Sequence, residues 1–579
     1  MVCNWFSLIF LFGLYQAYEC SDAIDSVQKL IPVHSKPVPT SVFQHEIQLD
    51  PDGNFWLFWN VSGTNITFET HVRTRGYVGF GLSQNGKMFP SDVIVSWINS
   101  DGSVYFRDCH TVGNVVPKVD SNQNWYLING FENDFGTVLT FSRKLDTCDE
   151  DDIVINDDTI RTIYSYHEED PISMTEMQWH GEKRGAQSVM FLSSSKSLAS
   201  IPNNSIKVDI VTPPYSIHLA DTRHCSLHKI PPLTKKHHMI RYEPLIQKES
   251  LAFVHHIVIS KCPDTSDADV GSTYDCFSTS TPDRFMTCSD PVVAWAVGGL
   301  AFNMPKHVGF AFGEADSPKY VKLEIHYSNP SMKSGIVDRS GIRMFLSPDI
   351  RQYDAAGMTI GVNPNPTHII PPYQKSFVST SYCNPQCTEK GLPDTGISIF
   401  GAFQHAHVLG RAIKTRHIRN GKELPPIAED KTYDFNYQDI RTLKEERKVK
   451  RGDSFMVECT YDSSKKNKST TGGMSTGEEM CISYIYYYPR TNMSFCLASP
   501  LYDQISKDSE KAFEQLKDWN WNDKHIRQQF QQLVNNSTYN TICNGPIKLE
   551  SHSYKTVIPN PEYPYHKPSK SCKNSIGMN

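Results

Sequence analysis

Short apolar runs separated by Gly, Asp and Asn recur from about residue 41 to residue 500. In the first stretch, FWLFWNVS, ITFETHVR, YVGFGLS and DVIVSWIN follow one another with turn residues between them. Such runs are typical of strands, because successive side chains in a strand point to opposite faces. Helical spacing is confined to a segment at about 505–535. We therefore predict an all-β chain with a small helical segment near the C-terminus.

The chain has 579 residues, which is too long for a single hydrophobic core. A polar, turn-rich stretch at 195–207 and a proline-rich stretch at 361–373 are candidate boundaries between β units. We therefore predict a leader, three β units and a C-terminal extension, at 1–20, 41–155, 206–362, 363–500 and 501–579.

The N-terminus, MVCNWFSLIFLFGLYQAYEC, has the apolar run of a signal peptide and is too short to span a bilayer. We expect cleavage between Ala17 and Ser21. Of the 15 cysteines, Cys3 and Cys20 fall in this segment and 13 remain, so at least one is unpaired. This number of cysteines indicates a disulfide framework. We expect secretion, or residence in the lumen of the secretory pathway, without stable membrane insertion.

Acceptor sequons for N-glycosylation agree with this compartment. They are Asn60, Asn65, Asn203, Asn467, Asn492, Asn535 and Asn536. The formal net charge of −6 is small for this length, and no basic stripe with interleaved aromatic residues is present. The composition therefore gives no reason to expect a nucleic-acid partner.

The stretch FQHAHVLGR places His405 and His407 two residues apart, so a strand would point both imidazoles to one face. A metal site is one explanation, and chance proximity among 22 histidines is the other. Met480, in GEEMCISYIYYYP, is core filler unless the fold brings it to these histidines. Two imidazoles and a thioether together favour copper, especially Cu(I).

A second candidate lies in LAFVHHIVISKC, where His255 and His256 are adjacent. Adjacent strand residues face opposite ways, so both can bind one ion only if the strand is bulged or strongly twisted. His326, in YVKLEIHYSNP, adds a third imidazole. Three imidazoles suit copper or zinc alike.

Two other motifs do not predict a site. His237 and His238 follow two lysines near a strand start, where we expect exposure and no metal binding. The sequence RGD at 451–453 is a possible integrin motif, but a polar turn before the strand SFMVEC is the better interpretation.

Taken together, YEP-(12 residues)-HH, YVKLEIHYSNP, the junction with IIPP, FQHAHVLGR and EEMC carry a family resemblance over nearly the whole mature chain. The chain resembles the copper type II ascorbate-dependent monooxygenases of dopamine β-hydroxylase type, in the DBH-like monooxygenase (MOXD) branch. The segment 41–155 is similar to a DOMON domain. The resemblance implies a DOMON-type β-sandwich followed by two jelly-roll-like β-sandwich copper domains, at 206–362 and 363–500.

The resemblance also implies two copper ions per subunit, with ascorbate as reductant and O2 as co-substrate. His255, His256 and His326, the first set, correspond to the electron-transfer copper. His405, His407 and Met480, the second set, correspond to the copper where substrate is hydroxylated, and His405 is assigned the catalytic role.

Six intrachain disulfides carry over from the family and leave Cys109 free. They are Cys148–Cys572, Cys225–Cys276, Cys262–Cys288, Cys383–Cys496, Cys387–Cys543 and Cys459–Cys481.

The sequence departs from the family at several positions. Phe403 replaces an arginine that the peptide-amidating branch uses for a terminal carboxylate, and Ile482 replaces a carboxamide of that branch, so we do not expect a peptide-glycine substrate. Arg223, in TRHC, stands where the family has the tyrosine of TYWC, and Ser328 replaces a histidine of dopamine β-hydroxylase. Glu324 is a candidate partner for an amine, or a half-exposed strand acid. The residues that bind substrate are not identifiable from the sequence.

The sequence therefore supports a secreted monooxygenase that hydroxylates a C–H bond of a small, aromatic amine-like molecule. The alternative is a catalytically inactive secreted copper-binding or interaction protein with the same fold. A zinc hydrolase is disfavoured, because no catalytic glutamate is placed near either histidine set and methionine is a poor zinc ligand.

Overall fold

The computed structural model describes residues 36–192, 200–544 and 552–567, except positions 264, 277, 279, 280, 289, 300, 315, 316, 318 and 492. The predicted signal peptide and Cys572 lie outside these residues. The described chain forms three β-sandwiches in sequence order, which confirms the all-β prediction.

The N-terminal sandwich packs a five-stranded sheet on a six-stranded sheet. In spatial order, the first sheet contains His45–Gln48, Phe55–Ser62, Asn65–Val72, Thr137–Lys144 and Tyr126–Glu132. The second contains Arg184–Val189, Ile160–Tyr166, Val78–Ser83, Ser91–Ile98, Val104–His110 and Lys118–Val119. The strand Ser91–Ile98 is buried along its whole length because it lies inside the second sheet.

The middle sandwich carries the first set and is here called the first copper sandwich, after the metal that the family resemblance implies. One sheet contains Ile206–Val211, Gly341–Ser347, His237–Leu245, Val308–Phe312 and Tyr353–Asp354, with Phe302–Asn303 paired to its third strand. The facing sheet contains Thr273–Asp275, Asp221–Lys229, Tyr320–Ser328, Val254–Cys262 and Asp290–Ala296. Tyr215–Ile217 and Ile336–Asp338 form a separate ribbon.

The second copper sandwich carries the second set. Its larger sheet contains Arg441–Val449, Ile397–Ala406, Cys481–Tyr488, Ala356–Val362, Phe495–Pro500, Thr538–Asn544 and His552–Val557. Its smaller sheet contains Phe377–Cys383, Ser454–Tyr461, Gly410–Arg419 and Lys422–Asp430, and Ile369–Ile370 pairs with Thr470–Thr471.

Helices are short and peripheral. The α-helices are Asp283–Met286, Pro385–Gly391, Ser509–Lys517 and Lys524–Asn535, and single 3-10 turns occur at Met174–Glu176, Lys248–Ser250 and Asp267–Asp269. The predicted C-terminal helical segment is thus two helices, each begun by an aspartate that accepts backbone N–H groups, Asp508 and Asp523. The apolar face of each helix packs against the second copper sandwich, through Leu516 and Phe530. Within the described residues, none of the helices has the length and apolar content needed to cross a bilayer.

Five of the six expected disulfides are formed, and Cys109 is a free, buried thiol. The pairs are Cys225–Cys276, Cys262–Cys288, Cys383–Cys496, Cys387–Cys543 and Cys459–Cys481. The remaining pair involves Cys572, which is outside the described residues.

An apolar seam joins the two copper sandwiches. Phe400, Phe403, Ile440 and Tyr486 of the second sandwich belong to the same buried cluster as Trp295 of the first. A hydrogen bond also crosses the seam, because the Tyr486 hydroxyl oxygen accepts the Ala294 N–H at 3.1 Å. The seam therefore fixes how the two histidine sets face each other.

Candidate metal centres

The first set is assembled on two paired strands. Val254–Cys262 runs antiparallel to Tyr320–Ser328, and the register shifts between Val254 and His256. One residue, His255, is therefore bulged out of the ladder, which turns its imidazole to the side of its neighbour. The bulge that the sequence requires for these adjacent histidines is present.

The three imidazoles of the first set converge through their Nδ1 atoms. The Nδ1 of His256 lies 3.2 Å from that of His255 and 3.4 Å from that of His326. Nitrogen ligands about 2.0 Å from one tetrahedral ion lie roughly 3.3 Å apart, so these spacings fit a single ion. Burial lowers the pKa of all three rings, to about 2 for His255, and keeps them neutral as ligands require.

A carboxylate outside the first set orients one of its rings. Asp221 Oδ1 accepts a hydrogen bond from His326 Nε2 at 2.9 Å. Because that proton sits on Nε2, the lone pair of a neutral His326 ring is on Nδ1, which faces the other two histidines. Asp221 was not predicted from the sequence. The one signal for it was its position on the same strand as Arg223, two residues earlier.

The second set is oriented in the same way by groups from two other segments. His405 lies near the end of the strand Ile397–Ala406, and His407 is the first residue beyond it, with ring centroids 5.2 Å apart. His405 Nδ1 donates to Gln438 Oε1 at 2.7 Å, and His407 Nδ1 donates to the Glu478 carbonyl at 2.9 Å. The Nε2 of His407 is buried with no hydrogen-bond partner among the described residues. Both rings thus hold an Nε2 lone pair ready for a metal, and burial lowers the His405 pKa to about 4.

Met480 lies directly before the strand Cys481–Tyr488, whose register pairs Ile482 with His405. Its side chain is buried and lines the same cavity as His405. The Tyr461 hydroxyl donates to the Met480 carbonyl at 2.7 Å. Met480 and His405 therefore share one cavity wall, and a thioether together with imidazoles is a donor set that favours copper.

A buried carboxylate ties the segment of His407 to that of Met480. Glu479 accepts the backbone N–H of Leu409 at 2.6 Å and that of His407 at 2.8 Å. Burial raises its pKa to about 7. The motif EEMC contained this residue, but its sequence position alone did not show that it binds a segment 72 residues away.

A loop held by the N-terminal sandwich lies against both sets. The Phe435 ring stacks on His255 at 4.2 Å and meets His407 edge-on at 6.1 Å. The start of this loop is held by Thr159, whose N–H and hydroxyl donate to Asp430 at 3.1 and 2.7 Å. The N-terminal sandwich therefore supports the site from behind.

A cavity of about 170 Å³ between the copper sandwiches is lined by His256 of the first set and by His405 and Met480 of the second. The ring centroids of His256 and His405 are only 5.6 Å apart. The cavity wall includes the aromatic side chains of Trp295, Phe403 and Tyr484. The arrangement thus brings histidines of both sets close to one chamber with aromatic walls.

Arg223 brings a guanidinium into this chamber. It donates to Glu324 at 3.0 Å, to the Met474 carbonyl at 2.6 and 3.0 Å, and approaches His256 Nε2 at 3.2 Å. Glu324 is buried, so it is not the half-exposed strand acid that the sequence suggested. It lines the cavity already paired with a cation.

Other sequence candidates lie away from the chamber. His237 and His238 are buried, so the expected exposure is wrong. His238 Nε2 contacts Asp354 at 2.8 Å, and the strand start is covered because it pairs with Val308–Phe312. In the RGD sequence, Asp453 is buried against Arg419 rather than displayed. Ser328 lies in register with Asp221.

The chain is similar to a known family of enzymes over both sandwiches that carry the histidine sets. The sequence profile of the "Copper type II ascorbate-dependent monooxygenase, N-terminal domain" matches residues 208–334, and that of the C-terminal domain matches 353–508. Human DBH-like monooxygenase protein 1 is 39% identical over 464 residues, which cover 79% of this chain and 75% of the relative. The chain belongs to the copper type II ascorbate-dependent monooxygenase family.

Two further relatives match over a similar part of the chain. Human dopamine beta-hydroxylase is 34% identical over 483 residues, covering 83% of this chain and 78% of the relative. The MOXD1 homolog 1 of Drosophila melanogaster is 36% identical over 472 residues, covering 77% of this chain and 67% of the relative. A DOMON domain profile matches 51–167. Membership of this monooxygenase family implies copper and ascorbate as the cofactors, and a small molecule and O2 as the reactants.

Proposed function

We propose that this chain is a secreted or lumenal copper monooxygenase that hydroxylates a C–H bond of a small, aromatic amine-like substrate. One oxygen atom of O2 enters the C–H bond and the other leaves as water, with two electrons from ascorbate and two protons. The observation that carries the proposal is a buried cluster of three histidines, His255, His256 and His326, one of which lines an aromatic chamber together with His405 and Met480.

In this proposal His255, His256 and His326 hold one copper, and His405, His407 and Met480 hold the other. Copper supplies one-electron chemistry and O2 activation when bound. The chain itself keeps the ligand rings in the required tautomers, through Asp221 for His326 and Gln438 for His405. Two sites are proposed because the two sets have separate orienting groups.

The chamber supports a small aromatic substrate. An apolar cavity of about 150 Å³ accommodates a benzene ring, so 170 Å³ admits one aromatic ring and little more. Phe403 and Tyr484 contribute aromatic side chains to the chamber wall. Glu324 offers the carboxylate for an amine, and an ammonium group must compete with Arg223 for it. Phe403 in place of an arginine removes the counter-ion for a peptide carboxylate.

The test is copper content of the purified full chain after copper loading, with oxygen uptake followed in the presence of ascorbate and arylalkylamines. His326→Ala and Met480→Ala should each lose one equivalent of copper relative to wild type, since each removes a ligand from a different set. Both should abolish substrate-dependent oxygen uptake.

Matched controls separate ligand loss from general damage. His224→Ala removes a buried histidine that stacks on Tyr215 instead of joining either set. Met474→Ala removes a methionine that also lines the chamber. Both controls should retain the copper of wild type. Copper binding indifferent to His326→Ala and Met480→Ala would refute the proposed sites.

A second candidate is a copper-binding protein without turnover, and Arg223 is the observation that favours it. A guanidinium only donates, so its contact with His256 Nε2 leaves the proton of a neutral ring on Nδ1, the atom that faces the other histidines. In this candidate the first set lacks one ligand and cannot pass electrons, while the second set still binds copper. Copper bound tightly without oxygen uptake on any arylalkylamine would support this candidate. Arg223→Tyr, which restores the family residue, should then raise oxygen uptake.

The proposed compartment rests on the leader, the disulfides and the sequons. Asn65, Asn203, Asn467, Asn535 and Asn536 are exposed. Asn60 is half-buried and its amide donates to the Val42 carbonyl at 2.8 Å, whereas Asn492 is outside the described residues. We expect glycan at the exposed sequons, which a mass shift of the secreted protein on glycosidase treatment would test.

A further inference from the structure

Two side chains of the first copper sandwich grip one backbone segment of the second. Arg223 Nε and Nη2 both donate to the carbonyl oxygen of Met474, at 3.0 and 2.6 Å. Asp221 Oδ2 accepts the backbone N–H of Thr476 at 2.7 Å. Asp221 and Arg223 are two residues apart on one strand, so their side chains reach the same side of the sheet.

The gripped segment, residues 474–477, forms part of the wall between the chamber and solvent. Ser475 and Gly477 are exposed and Thr476 is half-buried, while Met474 lines the chamber from the other side. The segment leads directly into Glu479 and Met480. Its position therefore affects both access to the chamber and the methionine of the second set.

Arg223 is itself held in place, so its guanidinium has a fixed orientation toward Met474. Its Nη1 donates to the buried carboxylate of Glu324 at 3.0 Å, so the rest of the planar guanidinium is aimed at Met474. A tyrosine at this position would offer a single hydroxyl without charge. The fork onto Met474 thus depends on the arginine that distinguishes this sequence from the family pattern.

We propose that Asp221 and Arg223 form a latch that holds segment 474–477 closed over the chamber, and that substrate enters when the latch opens. Entry of substrate rests on the proposed function, whereas the latch itself does not. Because the two contacts hold one short segment, loss of either releases the other, and the segment opens as a unit.

The test is hydrogen–deuterium exchange of the metal-free full chain, read at the amides of 474–477. Arg223→Lys keeps a cation opposite Glu324 but lacks the fork that holds Met474. We expect exchange in this segment to rise at least about tenfold, including at Thr476, whose acceptor is not mutated. The strand Ile397–Ala406 should be unaffected.

The matched control is Arg343→Lys, which breaks an equivalent fork onto Asp209 on the same sandwich, at 2.7 Å for both contacts. Equal exchange at 474–477 in the two variants would overturn the latch. If Arg223→Lys also raises exchange in Ile397–Ala406, the fold of that variant is damaged. Asp221→Asn is then the deciding variant: a rise in exchange confined to 474–477 supports the latch, and no such rise overturns it. Copper uptake is measured separately, so its failure refutes the proposed function and does not alter the exchange result.

Discussion

Replacing Asp221 with asparagine tests the first metal centre without touching a ligand. The carboxylate accepts His326 Nε2 at 2.9 Å and Thr476 N–H at 2.7 Å through different oxygens. Asparagine keeps one acceptor and replaces the other oxygen with an amide donor, so one of these two bonds is lost and the other loses its charged acceptor. A hydrogen bond to a charged group contributes about 1.5–3 kcal/mol, which corresponds to roughly a tenfold to hundredfold change in affinity.

We therefore expect the copper affinity of the first set to fall by about tenfold to a hundredfold in Asp221→Asn, while that of the second set is unchanged. Titration against a copper chelator of known affinity measures both sites in one experiment. Asp209→Asn is the control, because Asp209 is a half-exposed carboxylate of the same sandwich that pairs with Arg343. Affinities for the first set that agree between the two variants would refute the role of Asp221.

Two further predictions concern the second copper sandwich. Burial opposes ionisation of Asp453, but its bonds with His417, Arg419 and a backbone N–H lower its pKa from 3.8 to about 2. The contribution of this shift to stability, about 2 kcal/mol, is therefore present above pH 4 and lost as the pH falls through about 2. In urea unfolding, the stability difference between wild type and Asp453→Asn should thus be about 2 kcal/mol smaller at pH 2 than at pH 7. A constant difference across this range would contradict the assignment. The Cys459–Cys481 disulfide closes a loop with a sequence separation of 22, so the double Ser variant should lose about 3 kcal/mol of unfolding free energy, and an unchanged urea midpoint would contradict this value.

Much of each histidine set was predictable because local backbone geometry relates its members. His405 and His407 are two residues apart and face one way, as the alternation of strand side chains requires. For His255 and His256 the same alternation requires a bulge, and the register shift after Val254 supplies it. The all-β fold was predictable for the same reason, since the period of the apolar residues is local. The end of this strand at Ala406 was not predictable. It depends on Glu479, which is distant in sequence and accepts the backbone N–H of His407.

The sequence by itself determined the strands, the sequons and the residue types able to bind copper, and it predicted the leader. Tertiary structure decided which of them share a chamber. The proximity of His256 to His405 and the grip of Arg223 on Met474 join residues on different sandwiches, the latter 251 positions apart. Such contacts depend on how two separately formed cores pack along the apolar seam, and no local period records that packing. Phe435 reaches both histidine sets for the same physical reason, since a third sandwich holds its loop.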